Sequence, residues 1–443
     1  MLLMWISAAV GCQSKKSLDE QLSEVVTRQG LRAVEVPAAQ PRAKVALGQA
    51  LFFDPVMSGR MDTSCATCHH PSFGTGDGRA LSIGVGGAGL GPARVIVSGE
   101  ERELTPRNAS ALFNLGDSAW RSQFWDSRVE LLASGEARSP AGGSLPAGLD
   151  NIIAVQAMFP VTSRDEMRGE RGEARVDGEE NELGEHFDSR VSSIWEGITA
   201  RLIAIPEYRA LFARAYPDVR VGALEYRHAA NAIAAFEIEA FSLTQTPWDR
   251  YLRGERDALS APAKRGALLF FGEAGCGSCH SGALLTDQKH YNIGVPQLGP
   301  GKRPEEPLDY GRSRVLMEPQ RRYRFRTPAL RQVAHTGPYM HNGAYTSLRD
   351  VIAHHAAPRE SLRGYDGGQL PEALRSTLLT ESHYTDELEA MISPEIGVVP
   401  ALDDAQVDDL IAFLKALGDS SLQPLERWIP DTVPSGLPVD RLR

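Results

Sequence analysis

Hydrophobic positions along this chain fall into two sets that resemble each other. The runs Lys44-Val45-Ala46-Leu47-Gly48-Gln49-Ala50-Leu51-Phe52-Phe53 and Lys264-Arg265-Gly266-Ala267-Leu268-Leu269-Phe270-Phe271 each read as a short amphipathic helix ending in paired phenylalanines. A second helical period follows each of them. Around Ala229–Phe241, Ile233, Phe236 and Ile238 are among the apolar positions. Across Asp404–Leu417, Val407, Leu410, Ile411, Leu414 and Leu417 keep 3.6-residue spacing. Asp403 or Asp404 is the expected N-cap of this last helix and Gly418 its stop. The segment Thr346–His355 is also helical in pattern, with Leu348, Val351, Ile352 and His355 on one face. The pattern predicts a divergent repeat joined around Thr246–Pro262.

Between these helices the chain is rich in Gly and Pro and shows little strand alternation, so the fold class expected is mainly α with long loops. Arg164–Glu185 is dense in charge and glycine without periodicity, and reads as an exposed, mobile loop. The tail 421–443 carries Pro424, Pro430, Pro434 and Pro438 and is expected to be an extended strap or disordered. The opening residues 1–12 are apolar and too short to span a bilayer. They end in small residues before Cys12 and turn polar at Gln13-Ser14-Lys15-Lys16. This is the pattern of a lipoprotein signal, with Cys12 as the lipidated residue, or of a secretory signal cleaved nearby. Either version predicts a protein outside the cytoplasm, in the first case held to a membrane by its lipid.

Composition adds two constraints. An apolar fraction of 42% suffices for ordinary cores, and 443 residues allow two or three domains. The net charge of −10 argues against nucleic acid as a partner.

The five cysteines decide the chemistry. Four of them lie in Cys65-Ala66-Thr67-Cys68-His69 and Cys276-Gly277-Ser278-Cys279-His280. Each is a C-x-x-C-H run, the attachment signature of a c-type haem. Two thiols one helical turn apart add across the vinyl groups of one porphyrin, and the adjoining histidine is held beneath the iron. Two such runs predict two covalently bound haems c. Leading helix, haem loop and closing helix make the plan of a cytochrome c domain. Two such domains are expected, 43–245 and 260–420, each carrying one haem.

Function then turns on the sixth ligand of each iron. Residues 71–185 contain no histidine, and His70 adjoins the proximal ligand. Met158 and Met167 are the remaining candidates, and an open first iron is the favoured expectation. For the second iron His355 is favoured, with His354 next and Met340, Met317 and Met391 behind.

Several blocks resemble the bacterial di-haem cytochrome c peroxidase superfamily, which includes the MauG-like enzymes. They are Leu51-Phe52-Phe53-Asp54-Pro55, Arg107-Asn108-Ala109, Gln123-Phe124-Trp125-Asp126-Ser127-Arg128, Phe325-Arg326-Thr327-Pro328-Ala329-Leu330-Arg331 and Thr336-Gly337-Pro338-Tyr339-Met340-His341-Asn342-Gly343. The likeness runs from about Ala43 to Leu417. It implies a peroxidatic haem on His69 and an electron-transfer haem on His280. In that family the second iron's distal ligand lies fourteen residues after the histidine of the last block. The position is methionine in the peroxidases and tyrosine in the MauG-like branch; here it is His355. Gln123 matches the family's pocket glutamine. Ala133 stands where the acid–base glutamate is expected, with Glu130 and Glu136 nearby and Glu130 the favoured substitute. Phe113 stands where the family often has a tryptophan between the haems, and Trp120 or Trp125 could replace it. Thr336 and Pro338 match two positions of the family's calcium site.

The resemblance implies reduction of hydrogen peroxide with electrons from a small cytochrome or copper protein. Its MauG-like branch implies oxidation of residues on a partner protein instead. A non-catalytic di-haem electron carrier would have both irons six-coordinate. A homodimer is a further implication of the family.

Overall fold

The computed structural model describes residues 16–99, 102–397 and 399–442; the leader and Cys12 lie outside them. Both leading helices form, as Arg42–Phe53 and Ala261–Phe271. Each packs along its closing helix, Tyr226–Phe241 or Asp404–Ala416. The last of these begins at Asp403, whose carboxylate accepts from Gln406 N (2.8 Å) in a reciprocal capping box.

A glycine sits at each crossing. A Cβ on Gly48 would lie 1.9 Å from the Ala232 carbonyl oxygen and 2.8 Å from Phe236 Cβ. A Cβ on Gly266 would lie 1.9 Å from the Asp409 carbonyl oxygen and 2.9 Å from Phe413 Cβ. Only a residue without a side chain allows either approach. One turn on, Phe52 meets Phe236 and Phe270 meets Phe413, both at 5.2 Å between ring centroids. The two halves are therefore built alike. Gly48, Ala232 and Phe236 correspond to Gly266, Asp409 and Phe413.

The chain ends cross over between the halves. The helix Leu18–Gln29 packs on the second half, where Leu22 and Val25 join the core around Trp248, Phe271 and Phe413. Lys264 Nζ lies 2.8 Å from Asp19. The tail runs back over the first half. Trp428 packs edge-on against Phe236 at 5.8 Å, Ser435 Oγ donates to Asp54 (2.6 Å), and Thr67, inside the first C-x-x-C-H run, donates to Asp440 (2.5 Å).

Three short antiparallel sheets complete the described elements; the largest joins Ser122–Gln123, Val129–Leu131 and Ala137–Arg138. The loop expected to be exposed over 164–185 is exposed over most of 170–180 but anchored at both ends. Arg168 is buried and pairs with Asp188, Asn181 is buried and donates to the Arg168 carbonyl oxygen (2.8 Å), and Leu183 enters the core. Its charges look solvated in sequence but are paired across the loop. No described helix is long and apolar enough to cross a membrane.

Between the halves lies a buried ion cluster. Arg107 reaches Asp126 (2.7 Å) and Asp309 of the other half (2.6 Å). Burial alone would raise both carboxyls, but Arg107 overrides it: Asp309 is held down to about 2 and Asp126 well below the usual carboxylate range.

Candidate functional site

Each C-x-x-C-H run borders a cavity. The first run begins in a single helical turn, Cys65–Cys68. Burial pushes the Cys65 thiol far up and that of Cys68 up to about 12. His69 Nδ1 is 3.0 Å from the Thr75 carbonyl oxygen. A carbonyl only accepts, so Nδ1 carries the proton and Nε2 keeps its lone pair for a metal. The cavity beside it, of about 150 Å³, is lined by Gln123, Trp125, Met167, Tyr226, Ile233 and Glu237 among others. Among the described residues no other histidine lines it. Gln123 is buried, and its Nε2 has no hydrogen-bond partner. It precedes a left-handed residue, Phe124 (φ 68°), whose ring carries the Arg128 guanidinium at 3.5 Å.

The second cavity, of about 300 Å³, is more apolar, with Phe270, Val351, Ile352, Leu410 and Leu414 on its walls. Burial pushes the Cys276 thiol up to about 11. His280 Nδ1 is 3.1 Å from the Leu285 carbonyl oxygen. His355 lines the same cavity and repeats the arrangement, its Nδ1 2.8 Å from the Val351 carbonyl oxygen. It sits on the helix Leu348–Ala356, capped by Ser347, whose Oγ accepts from Asp350 N (3.1 Å). His280 is pushed down to about 4, first by burial and then by His355, so the two imidazoles are electrostatic neighbours. His354 has both nitrogens engaged: Nε2 with the Ile293 carbonyl oxygen (2.8 Å), Nδ1 with Tyr345 Oη (2.8 Å). It does not line the cavity. Of the methionines, Met340 lines it, Met391 does not, and Met317 is 84% exposed. At the first cavity Met167 is on the wall and Met158 is not.

A shared wall separates the cavities. Asn108, Trp120, Trp125 and Arg326 border both of them. The Arg326 guanidinium lies 4.9 Å from the Trp120 ring centroid. Phe113 borders only the second. Thr336 and Pro338 also border the second cavity; among the described residues no group of three or more His, Cys, Asp or Glu could hold a metal ion.

Glu130 is not on either wall. Its carboxylate is bound by Arg312 (2.6 Å) and Arg138. Burial would raise it, and these two arginines lower it below the ordinary carboxylate value. Its position near Gln123 in sequence suggested a distal role, but strand pairing turns it into the ion network between the halves. The carboxylates that do reach the first cavity are Glu166 and Glu237. Sequence position gave no sign of the first. The second was visible only as one of two charges, with Glu239, in the otherwise apolar run Ala229–Phe241.

The donor set fits two porphyrins: a pair of cysteines and an adjoining histidine at each cavity, apolar walls, and an unpartnered amide facing one of them. The class these features fit is a c-type haem protein. Residues 42–257 match the family described as di-haem cytochrome c peroxidase. The methylamine utilization protein MauG of Methylorubrum extorquens is 33% identical over 330 residues, covering 73% of this chain and 72% of that protein. Cytochrome-c peroxidase IdrP1 of Denitromonas iodatirespirans is 30% identical over 424 residues, covering 89% of this chain and 86% of that protein. A solved structure of a MauG-like protein associated with microbial copper homeostasis overlays with a TM-score of 0.59 at 25% identity, covering 88% of this chain and 94% of that one. The chain belongs to the di-haem cytochrome c peroxidase and MauG family, and is an oxidoreductase of the peroxidase type.

Proposed function

We propose that this protein reduces hydrogen peroxide at the His69 cavity, with electrons that enter through the His280 cavity from a small cytochrome or copper protein. Each half is then a cytochrome c-type domain with one covalent haem. The observation that carries this reading is the inequality of the two cavities. The second is lined by two histidines, His280 and His355, and the first by one, His69, beside the unpartnered amide of Gln123. When bound, the first haem supplies an iron able to take a peroxide oxygen, and the second stores an electron.

The residues do the rest. Gln123 Nε2 is a free donor for a peroxide oxygen. Glu166 is the partly exposed carboxylate of the cavity and suits proton exchange with solvent. The reaction consumes two electrons and two protons for each peroxide and releases two waters. Trp120 and Trp125 occupy the wall through which electrons pass. The two C-x-x-C-H runs and the apolar stretch before Cys12 favour a periplasmic, lipid-anchored location.

Electron paramagnetic resonance of the ferric protein tests the assignment. One high-spin and one low-spin iron are expected. His355→Ala should turn the second iron high-spin, whereas an unchanged low-spin signal would remove His355 as its ligand. A wholly low-spin native protein would make it an electron carrier. The MauG relative gives a second reading, oxidation of a partner polypeptide. It would prevail if reduced cytochromes and copper proteins failed to support peroxide turnover.

A further inference from the structure

The closing helices of the two halves differ in charge at a position that lines both cavities. The glycine crossings align Phe236 with Phe413, so Ile233 and Glu237 correspond to Leu410 and Leu414. All four line their respective cavities. Three are apolar. Glu237 is 4% exposed, and its Oε2 has no hydrogen-bond partner. A buried carboxyl with a free oxygen is costly, and a leucine already fills the same place in the other half.

We propose that Glu237 is the redox-linked proton site of the first cavity: its carboxylate binds one proton as the site gains one electron, and releases it when the electron leaves. The inference rests on the di-haem reading above. It adds a local proton store to a reaction that needs one proton for each electron.

The surroundings favour this role. Burial alone pushes the carboxyl up to about 8, so it titrates near neutral pH. A positive charge in the cavity favours the carboxylate, and neutralising that charge favours the acid, so proton affinity follows the electron. Facing it on the cavity are Cys65, His69, Glu166, Tyr226 and Lys302, with Arg107, Arg128 and Arg326. Of the helices packed on its own, Ile152–Ala157 carries no charge, Val191–Ala204 carries Glu196 and Arg201, with Arg201 paired to Glu182 at 2.6 Å, and Gln423–Trp428 carries Glu426 and Arg427. Arg42–Phe53 carries Arg42 and Lys44, and Lys44 is paired with Asp150 at 2.7 Å.

Potentiometric titration of the haem-loaded protein between pH 6 and 9, without peroxide, tests this independently of turnover. The first haem's reduction equilibrium should weaken with rising pH, by up to tenfold per unit, about 59 mV for one electron. In Glu237→Gln and Glu237→Leu the first haem should become pH-independent, while the second haem keeps the native profile. The glutamine keeps the shape should the leucine variant fail to fold. A slope that persists in the glutamine variant, or no slope in the native protein, overturns the proposal. High-spin and low-spin signals that stay native would show that the di-haem reading survives its failure.

Discussion

At the scale of single residues, one hydrogen bond recurs. His69, His280 and His355 each give Nδ1 to a backbone carbonyl, and each lines a cavity. His354, one residue from His355, spends both nitrogens elsewhere. The helical face drawn from sequence separates these neighbours correctly, because a 100° turn per residue puts only one of them over the cavity. Other histidines store pH sensitivity. Burial pushes His341 and His354 down to about 3, whereas an unfolded histidine titrates near 6.5. The folded state therefore binds fewer protons between those values. Its stability is complete above about 6.5 and falls as pH drops, by up to about 1.4 kcal/mol per unit for each histidine. Urea midpoints at pH 7.5, 6 and 5 should decline in that order, above the range where paired carboxylates titrate. A flat series would mean that these histidines are charged in the fold.

At the scale of elements, the repeat is carried by helix crossings rather than by residue identity. Adding a methyl at Gly48 or Gly266 presses on backbone, which cannot swing aside. Gly48→Ala and Gly266→Ala should each cost roughly 2–3 kcal/mol despite better helix propensity. Gly222→Ala, where nothing lies within 4 Å, should change stability by less than about 0.5 kcal/mol. Thermal melts of the three variants distinguish a steric crossing from a general intolerance of alanine. The four main helices were legible because their apolar faces keep a 3.6-residue period. The anchoring of 164–188 was not, since Arg168 and Asn181 are satisfied by partners that folding alone brings to them.

At the scale of the molecule, Arg107 joins the halves. Replacing it by leucine strands the buried carboxylates Asp126 and Asp309, and should cost about 3–5 kcal/mol. Calorimetry of Arg107→Leu should show the unfolding transition lowered and split between halves. A native-like single transition would deny it that role. The exchanged ends tie the same two bodies: the N-terminal helix completes the second core, and the C-terminal tail covers the first.

The sequence alone determined the two C-x-x-C-H runs, the leading and closing helices, and the helical face of His355. Covalent attachment needs a fixed local spacing, and amphipathic helices write their period into the chain. Tertiary structure alone decided which carboxylates reach the first cavity, removing Glu130 and admitting Glu166 and Glu237. It also decided that Trp120 and Trp125 share the dividing wall. Those outcomes depend on which segments, far apart in the chain, close around one space, and no local pattern records that.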